Sequence, residues 1–236
     1  MSAALQGGAA LPEFIDFAFS EEVMGVDLDL LERWLTAWSL SRGLPLPVHE
    51  GGGLSVEVGK PDHLRLSMCL QRRGLALHAC AARVSEPGVH LKVPVGPDEM
   101  RQALPPGWEF EELRYLMHCS AAMAAESAAP AYYSVSTERE HGAHVIRLID
   151  AEGTTAASGR VVLHGETAVF DQIETHELHR RKGLGSAVML ELDRLAVQAR
   201  VSERLLVATD AGRALYLALG WQVLAPYSTF ITAENK

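Results

Sequence analysis

The stretch from Asp171 to Ser186 constrains this chain more than any other. Asp171 to Thr175 closes an apolar, strand-like run, His176 to Gly183 is a basic loop containing glycine, and a long helix opens from Gly183. A helix entered in this way has first amides with no intrahelical acceptor, and its aligned peptide dipoles leave partial positive charge at that end. Gly183 and Gly185 permit close backbone approach, while Arg180, Arg181 and Lys182 place full positive charges beside it. The result is an anion cradle, and its expected guest is a diphosphate.

The rest of the composition narrows the partners. A chain of 236 residues can bury roughly 70% of its extended surface, so it has ample core for one large domain or two small ones. The formal net charge of -9 argues against a nucleic-acid or anionic-membrane partner, both of which need clustered Lys and Arg. Cys69, Cys80 and Cys119 form no C-x-x-C pair, which points to a reducing compartment and to cysteines used as small core residues. Met1 to Ser20 contains no Lys or Arg, unlike the basic head of a secretory signal, and no segment approaches the ~20 apolar residues of a membrane span. A soluble, cytoplasmic protein is expected.

Along the chain, 1–20 reads as a flexible lead-in. Leu31, Trp34, Leu35 and Trp38 recur at helical spacing within Leu28 to Leu40, and Gly43, Pro45 and Pro47 end that helix. Alternation then predicts strands over Leu54 to Val58 and Leu64 to Leu70. Leu75 to Val84 and Val89 to Val93 are expected to continue the sheet, with a short helix from Pro97 to Leu104. The Ala/Ser-rich segment from Ser120 to Ala131 marks a boundary between a region over 21–125 and a domain over 131–236. That domain reads as strands at Tyr132 to Ser136, His144 to Ile149, Ala156 to His164 and Ala168 to Thr175. A helix from Gly183 to Val201, a strand from Arg204 to Ala208, a helix around Tyr216 and a strand from Val223 to Thr232 follow.

Arg180-Arg181-Lys182-Gly183-Leu184-Gly185 resembles the cofactor-binding motif of the GNAT superfamily of acyl-CoA N-acyltransferases. Downstream, Ala214-Leu215-Tyr216-Leu217-Ala218-Leu219-Gly220-Trp221 is similar to the same superfamily's later signature, at the right order and separation. The resemblance implies an α/β (α+β) fold: a mixed, mostly antiparallel sheet flanked by helices. A complete domain of this kind needs a strand and two helices ahead of Tyr132; either 21–130 supplies the missing helices or it is a second, degenerate GNAT-like copy. The resemblance also implies acetyl-CoA as co-substrate, its diphosphate held by Arg180, Arg181, Lys182, Gly183, Leu184, Gly185 and Ser186, and its pantetheine arm paired with backbone groups of Ile173 and Thr175. Thr209-Asp210 stands where many members carry Asn before the second helix.

Acyl transfer to an amine needs a neutral nucleophile, a polarised carbonyl and a proton for the departing thiolate. Period-two geometry puts Asp171 on one strand face with Val169, Ile173 and Thr175, where burial disfavours its charged form and suits it to take a proton from an ammonium. The other reading pairs Asp171 with an Arg or His as a structural contact. Glu174, on the opposite face, is the second candidate base. Tyr216, by resemblance, protonates the leaving thiolate; packing beside Leu215 and Leu219 is its plainer role. His176, Glu177 and His179 are aimed apart by the turn, so no metal is expected.

The sequence therefore predicts an N-acyltransferase, most simply an acetyltransferase acting on a small-molecule or peptide amine, as a monomer or homodimer. A non-catalytic acyl-CoA-binding sensor is the alternative. A nucleotide-binding loop is disfavoured, because the segment matches neither the Walker pattern nor G-x-G-x-x-G.

Overall fold

A computed structural model describes residues 26–69, 74–84, 86–123 and 130–232. The lead-in over 1–20 and the centre of the Ala/Ser segment, 124–129, lie outside the described residues. The first described element is α1 (Leu28–Leu40), whose N-cap Asp27 accepts a hydrogen bond from Leu30 N at 2.7 Å. Leu30, Leu31, Trp34 and Leu35 form its buried face, as the spacing predicts. Strands β1 (Val48–Glu50), β2 (Gly53–Lys60) and β3 (His63–Cys69) follow as an antiparallel set.

The segment expected as a further strand is instead helix α2 (Gly74–Ala82). Its apolar run has no alternation, and Ala76, Ala79, Ala81 and Ala82 supply strong helix propensity. Leu77, Cys80 and Ala81 are buried at helical spacing. The helix also serves a connection no hairpin could make, because β3 and β4 (Val89–Val93) are parallel and need a crossover. Helix α3 (Pro97–Ala103) and the long strand β5 (Trp108–Cys119) complete this part of the chain.

Four antiparallel strands come next: β6 (Ser134–Glu140), β7 (Ala143–Ile149), β8 (Thr155–His164) and β9 (Thr167–Thr175). A 3-10 turn (Glu177–His179), helix α4 (Leu184–Gln198), strand β10 (Glu203–Ala208), helix α5 (Asp210–Ala218) and strand β11 (Gln222–Thr232) are the last described elements. Among the described residues, eleven strands form one sheet in the order β1-β2-β3-β4-β11-β5-β10-β9-β8-β7-β6. Of these, β3/β4 and β9/β10 pair in parallel.

The element order strand, strand, helix, strand, helix, strand runs twice, as β2-β3-α2-β4-α3-β5 and as β8-β9-α4-β10-α5-β11. Each run places its last strand inside the other: β11 lies between β4 and β5, and β5 lies between β11 and β10. Backbone pairing therefore passes without a break from one half of the chain to the other. Helix α4 covers β7, β8 and β9 on one face with Val161, Phe170 and Leu206 beneath it, and α1 crosses β8 and β9 on the opposite face above Val162, Val169 and Leu205. A buried ion pair ties the α4 layer to the sheet: Arg204 Nε lies 2.5 Å from Asp193 Oδ1, and Asp193 Oδ2 accepts from Met123 N at 2.8 Å. Such a pair satisfies its own charges, so the loss of one partner is far costlier than the presence of both is favourable.

Candidate active site

The basic loop is built as a left-handed turn. Arg181 has φ 62° and Gly183, the N-cap of α4, has φ 76°, with no side chain capping the helix. Leu184 is buried and anchors the helix start, while Arg180, Arg181 and Lys182 are exposed and form no ion pair with a described carboxylate. The amides of Gly183, Gly185 and Ser186 meet no acceptor among the described residues. A Cβ on Gly183 would meet nothing within 4 Å, so the glycine serves the backbone angle and leaves open space before the helix. A Cβ on Gly185 would stand 3.1 Å from Leu215 Cδ2, so that glycine lets α5 pass close to α4.

Behind the loop, His179 holds the 3-10 turn in place. Its Nδ1 is 3.0 Å from the Tyr133 hydroxyl and its Nε2 is 3.4 Å from Asp150 Oδ2. Among the described residues no group of three or more His, Cys, Asp or Glu side chains is placed to hold a metal ion. No helix there is long and apolar enough to cross a membrane.

The cleft arises where β9 and β10 separate. Their parallel pairing ends at Val169 and Leu205, yet β9 runs on to Thr175 and β10 to Ala208. Beyond that point the two strands no longer bond to each other, and Thr175 O accepts instead from Arg180 Nε at 3.4 Å; the split lies at the carboxyl ends of parallel strands, where ligands of α/β sheets bind. On its other side β9 carries a bulge: Arg160 pairs with Asp171 and Ser158 with Glu174, so Gln172 and Ile173 face Gly159 alone, and Gln172 takes φ 50°.

This bulge corrects the face assignment made from alternation. Asp171 pairs with Arg160 and points to the α1 face, whereas Ile173 packs against the α4 side and Thr175 pairs with Ala157 there. By register Glu174 shares the α1 face with Asp171. It is exposed. Asp171 forms an ion pair with Arg42 and accepts from Ser41 Oγ at 3.2 Å, the paired arrangement that the sequence left open. Arg42 in turn lies over the Trp38 ring at 4.3 Å, and Arg160 Nη1 donates to Ser41 O at 2.8 Å.

Tyr216 stands on α5 at the other wall, its ring 6.2 Å from that of Trp221 and packed close to Gly212. Thr209 caps the helix by accepting from Gly212 N at 3.1 Å. Burial, reinforced by the negative charge of Asp171, pushes the phenol up to about 12, so it keeps its proton at neutral pH. The hydroxyl hydrogen-bonds to no described residue. The charge of Asp171 reaches Tyr216, yet the two stand on different sides of the sheet, Tyr216 with the α4-side core and Asp171 with α1, and Glu174 lies further along β9. Trp38, Ser41 and Arg42 escaped sequence reasoning, because a helix C-terminus far away in the chain gives no local sign of a partner on β9.

A family model for the acetyltransferase (GNAT) family matches residues 99–221, just over half the chain. The chain belongs to the GNAT acetyltransferase family. Solved structures share the fold of this GNAT protein at low identity. A GCN5-related N-acetyltransferase from Kribbella flavida is 12% identical with a TM-score of 0.59, over 85% of this chain and 95% of that one. A GNAT-family protein from Novosphingobium aromaticivorans is 16% identical with a TM-score of 0.54, over 86% and 99%. A tandem GNAT protein from the clavulanic acid biosynthesis pathway is 17% identical with a TM-score of 0.52, over 77% and 78%. No curated protein matches the sequence.

Proposed function

We propose that this GNAT protein is an acyl-CoA-dependent N-acyltransferase that moves an acetyl group from acetyl-CoA to a primary amine of a small molecule or peptide. The observation that carries this reading is an uncapped, cation-flanked helix start that follows directly on the strand whose parallel pairing has split, with a protonated Tyr216 on the next helix. The fit to the co-substrate rests on the same features. Free amides of Gly183, Gly185 and Ser186, with Arg180, Arg181 and Lys182, suit a diphosphate, and the edge of β9 at Ile173 and Thr175, which β10 leaves, suits a pantetheine arm with its amides once Arg180 releases Thr175 O. Bound there, acetyl-CoA supplies a thioester whose acyl group is open to an amine.

The acceptor enters from the α1 face. Glu174, exposed on that face, takes the ammonium proton, so that the neutral nitrogen forms the C–N bond as the C–S bond breaks. Tyr216 gives its proton to the sulfur. Asp171, committed to Arg42, shapes the acceptor side and holds α1 against β9. The same ion pair favours one second reading, an acyl-CoA sensor, because it leaves the central carboxylate occupied.

Calorimetry with acetyl-CoA and a thiol assay over an amine panel test both. Binding with CoA release is expected; tight binding without release from any amine selects the sensor, and no binding removes both.

A further inference from the structure

Thr175 ends β9, and its carbonyl lies on the edge that β10 has left. The direction follows from the peptide. His176 N donates to Ala156 O of β8 at 2.9 Å, and the N–H and C=O of one trans peptide point opposite ways, so Thr175 O faces the split. The protein covers this acceptor with its own side chain, because Arg180 Nε donates to it at 3.4 Å. The contact is long and its guanidinium exposed, so a stronger acceptor can take its place.

Arg180 is fixed at its backbone and free at its tip. Its amide caps the 3-10 turn by donating to Glu177 O at 3.4 Å, and the turn is anchored by the contacts of His179 with Tyr133 and Asp150. A guanidinium carries five N–H donors, and among the described residues only the Nε of Arg180 is engaged. The helix start lies next to Thr175, whose hydroxyl is 3.7 Å from where a Cβ on Gly185 would stand. One side chain therefore stands between the last carbonyl of the β9 edge and the free amides at the start of α4.

Charge decides which of the two it serves. The carbonyl offers a neutral acceptor, whereas a phosphate offers charge-assisted, bidentate bonds roughly twice as strong. A diphosphate at the helix start draws Arg180 off Thr175 and opens the edge. A pantetheine arm without phosphates has to break the same contact and gives the guanidinium nothing in return.

We infer that Arg180 sets acyl-donor specificity: it covers the pantetheine edge until a diphosphate reaches the helix start, and so selects acyl groups carried on coenzyme A over the same groups on a phosphate-free pantetheine arm. The inference rests on the acyltransferase reading and assigns one residue to two of its subsites.

The probes are acetyl-CoA and pantetheine, each titrated by calorimetry into the full chain. Arg180→Ala is expected to weaken acetyl-CoA about tenfold and to tighten pantetheine about threefold, opposite directions from one substitution. Lys182→Ala removes an equal charge from the same loop and leaves the Arg180 contact in place, so it should weaken acetyl-CoA while pantetheine binds as it does to the wild type. Pantetheine bound no more tightly by Arg180→Ala than by the wild type, pantetheine bound detectably by neither, tightening by both substitutions, or acetyl-CoA affinity untouched by Arg180→Ala would overturn the inference. Any of these with acetyl-CoA still bound by the wild type leaves the acyltransferase reading standing, whereas a wild type that binds no acetyl-CoA removes that reading as well.

Discussion

Arg42 closes an ion pair with Asp171 across 129 positions of the chain. The guanidinium leaves the end of α1, and the carboxylate sits at the last regular pair of β9 before the bulge. Each is about one-fifth exposed, at 23% and 19%, so either one alone would be a half-buried, unpaired charge. Arg42→Met and Asp171→Asn should each lower unfolding stability by roughly 1–3 kcal/mol. The double variant should lose less than the sum, because the two share one interaction. Urea unfolding of all four proteins measures the coupling, and strictly additive losses would show that the pair contributes none.

Gly183 occupies a left-handed conformation that a side chain resists by roughly 1–2 kcal/mol, with β-branched residues worst. Since a Cβ there meets no protein atom, Gly183→Val should fold with a modest loss of stability. The damage falls on the cradle, whose amides turn away. Acetyl-CoA affinity is expected to drop tenfold or more by calorimetry; wild-type affinity would show that the helix start does not grip the diphosphate.

Much of this arrangement was legible in the letters. The helical spacing of Leu31, Trp34 and Leu35, the basic Gly183 loop and the alternation of β7 and β8 each have one local solution. Gly183 could be read because a left-handed helix entry has a residue signature. The bulge could not, since Val169, Asp171, Ile173 and Thr175 keep alternating in sequence while Gln172 turns the backbone over. Helix α2 was hidden by an apolar run with no period, where only its alanines and the parallel pairing of its flanking strands decide. The exchange of β5 and β11, and with it the meeting of Lys92 with Tyr227 and Arg114, depends on long-range register, which no short window carries.

Gly159 faces the bulge from β8. A Cβ there would stand 2.5 Å from Ile173 Cδ1 and 2.7 Å from Val188 Cγ1, so Gly159→Ala must push α4 off the sheet or flatten the bulge. The overpacking should cost about 1–3 kcal/mol. Because Ile173 borders the cleft, acetyl-CoA affinity should fall with stability. Thermal unfolding and calorimetry on the same variant test the coupling, and a stability loss with untouched affinity would separate the bulge from the cofactor groove.

Tyr216→Phe removes one hydroxyl from a buried ring and leaves its packing against Trp221 and Gly212. If that proton goes to the leaving thiolate, kcat should fall about 10²-fold, the lower range for general acid catalysis, with acetyl-CoA affinity unchanged. The group is held in its protonated form up to about 12, so its contribution to stability is complete below pH 10 and is lost as pH rises through 12. No alkaline loss of rate below pH 10 should trace to this residue. Equal turnover numbers for the two proteins would remove Tyr216 from the chemistry.

Lys92 gives a pH signature of opposite sign. Burial lowers its ammonium from 10.5 to about 8, against the pull of Glu112 and Glu111 and with the repulsion of Arg114 and Arg42. Between those two values the unfolded chain holds a proton that the folded chain has released, so stability rises with pH across the window and is lost again as pH falls through 8. The full effect is on the order of 3 kcal/mol. Lys92→Met removes it, and its urea midpoint should change less than that of the wild type between pH 7 and pH 10. Comparing the two proteins cancels the groups they share, among them Tyr216, whose effect begins only above pH 10. Parallel profiles would mean that the Lys92 ammonium is as well solvated in the fold as in the unfolded chain.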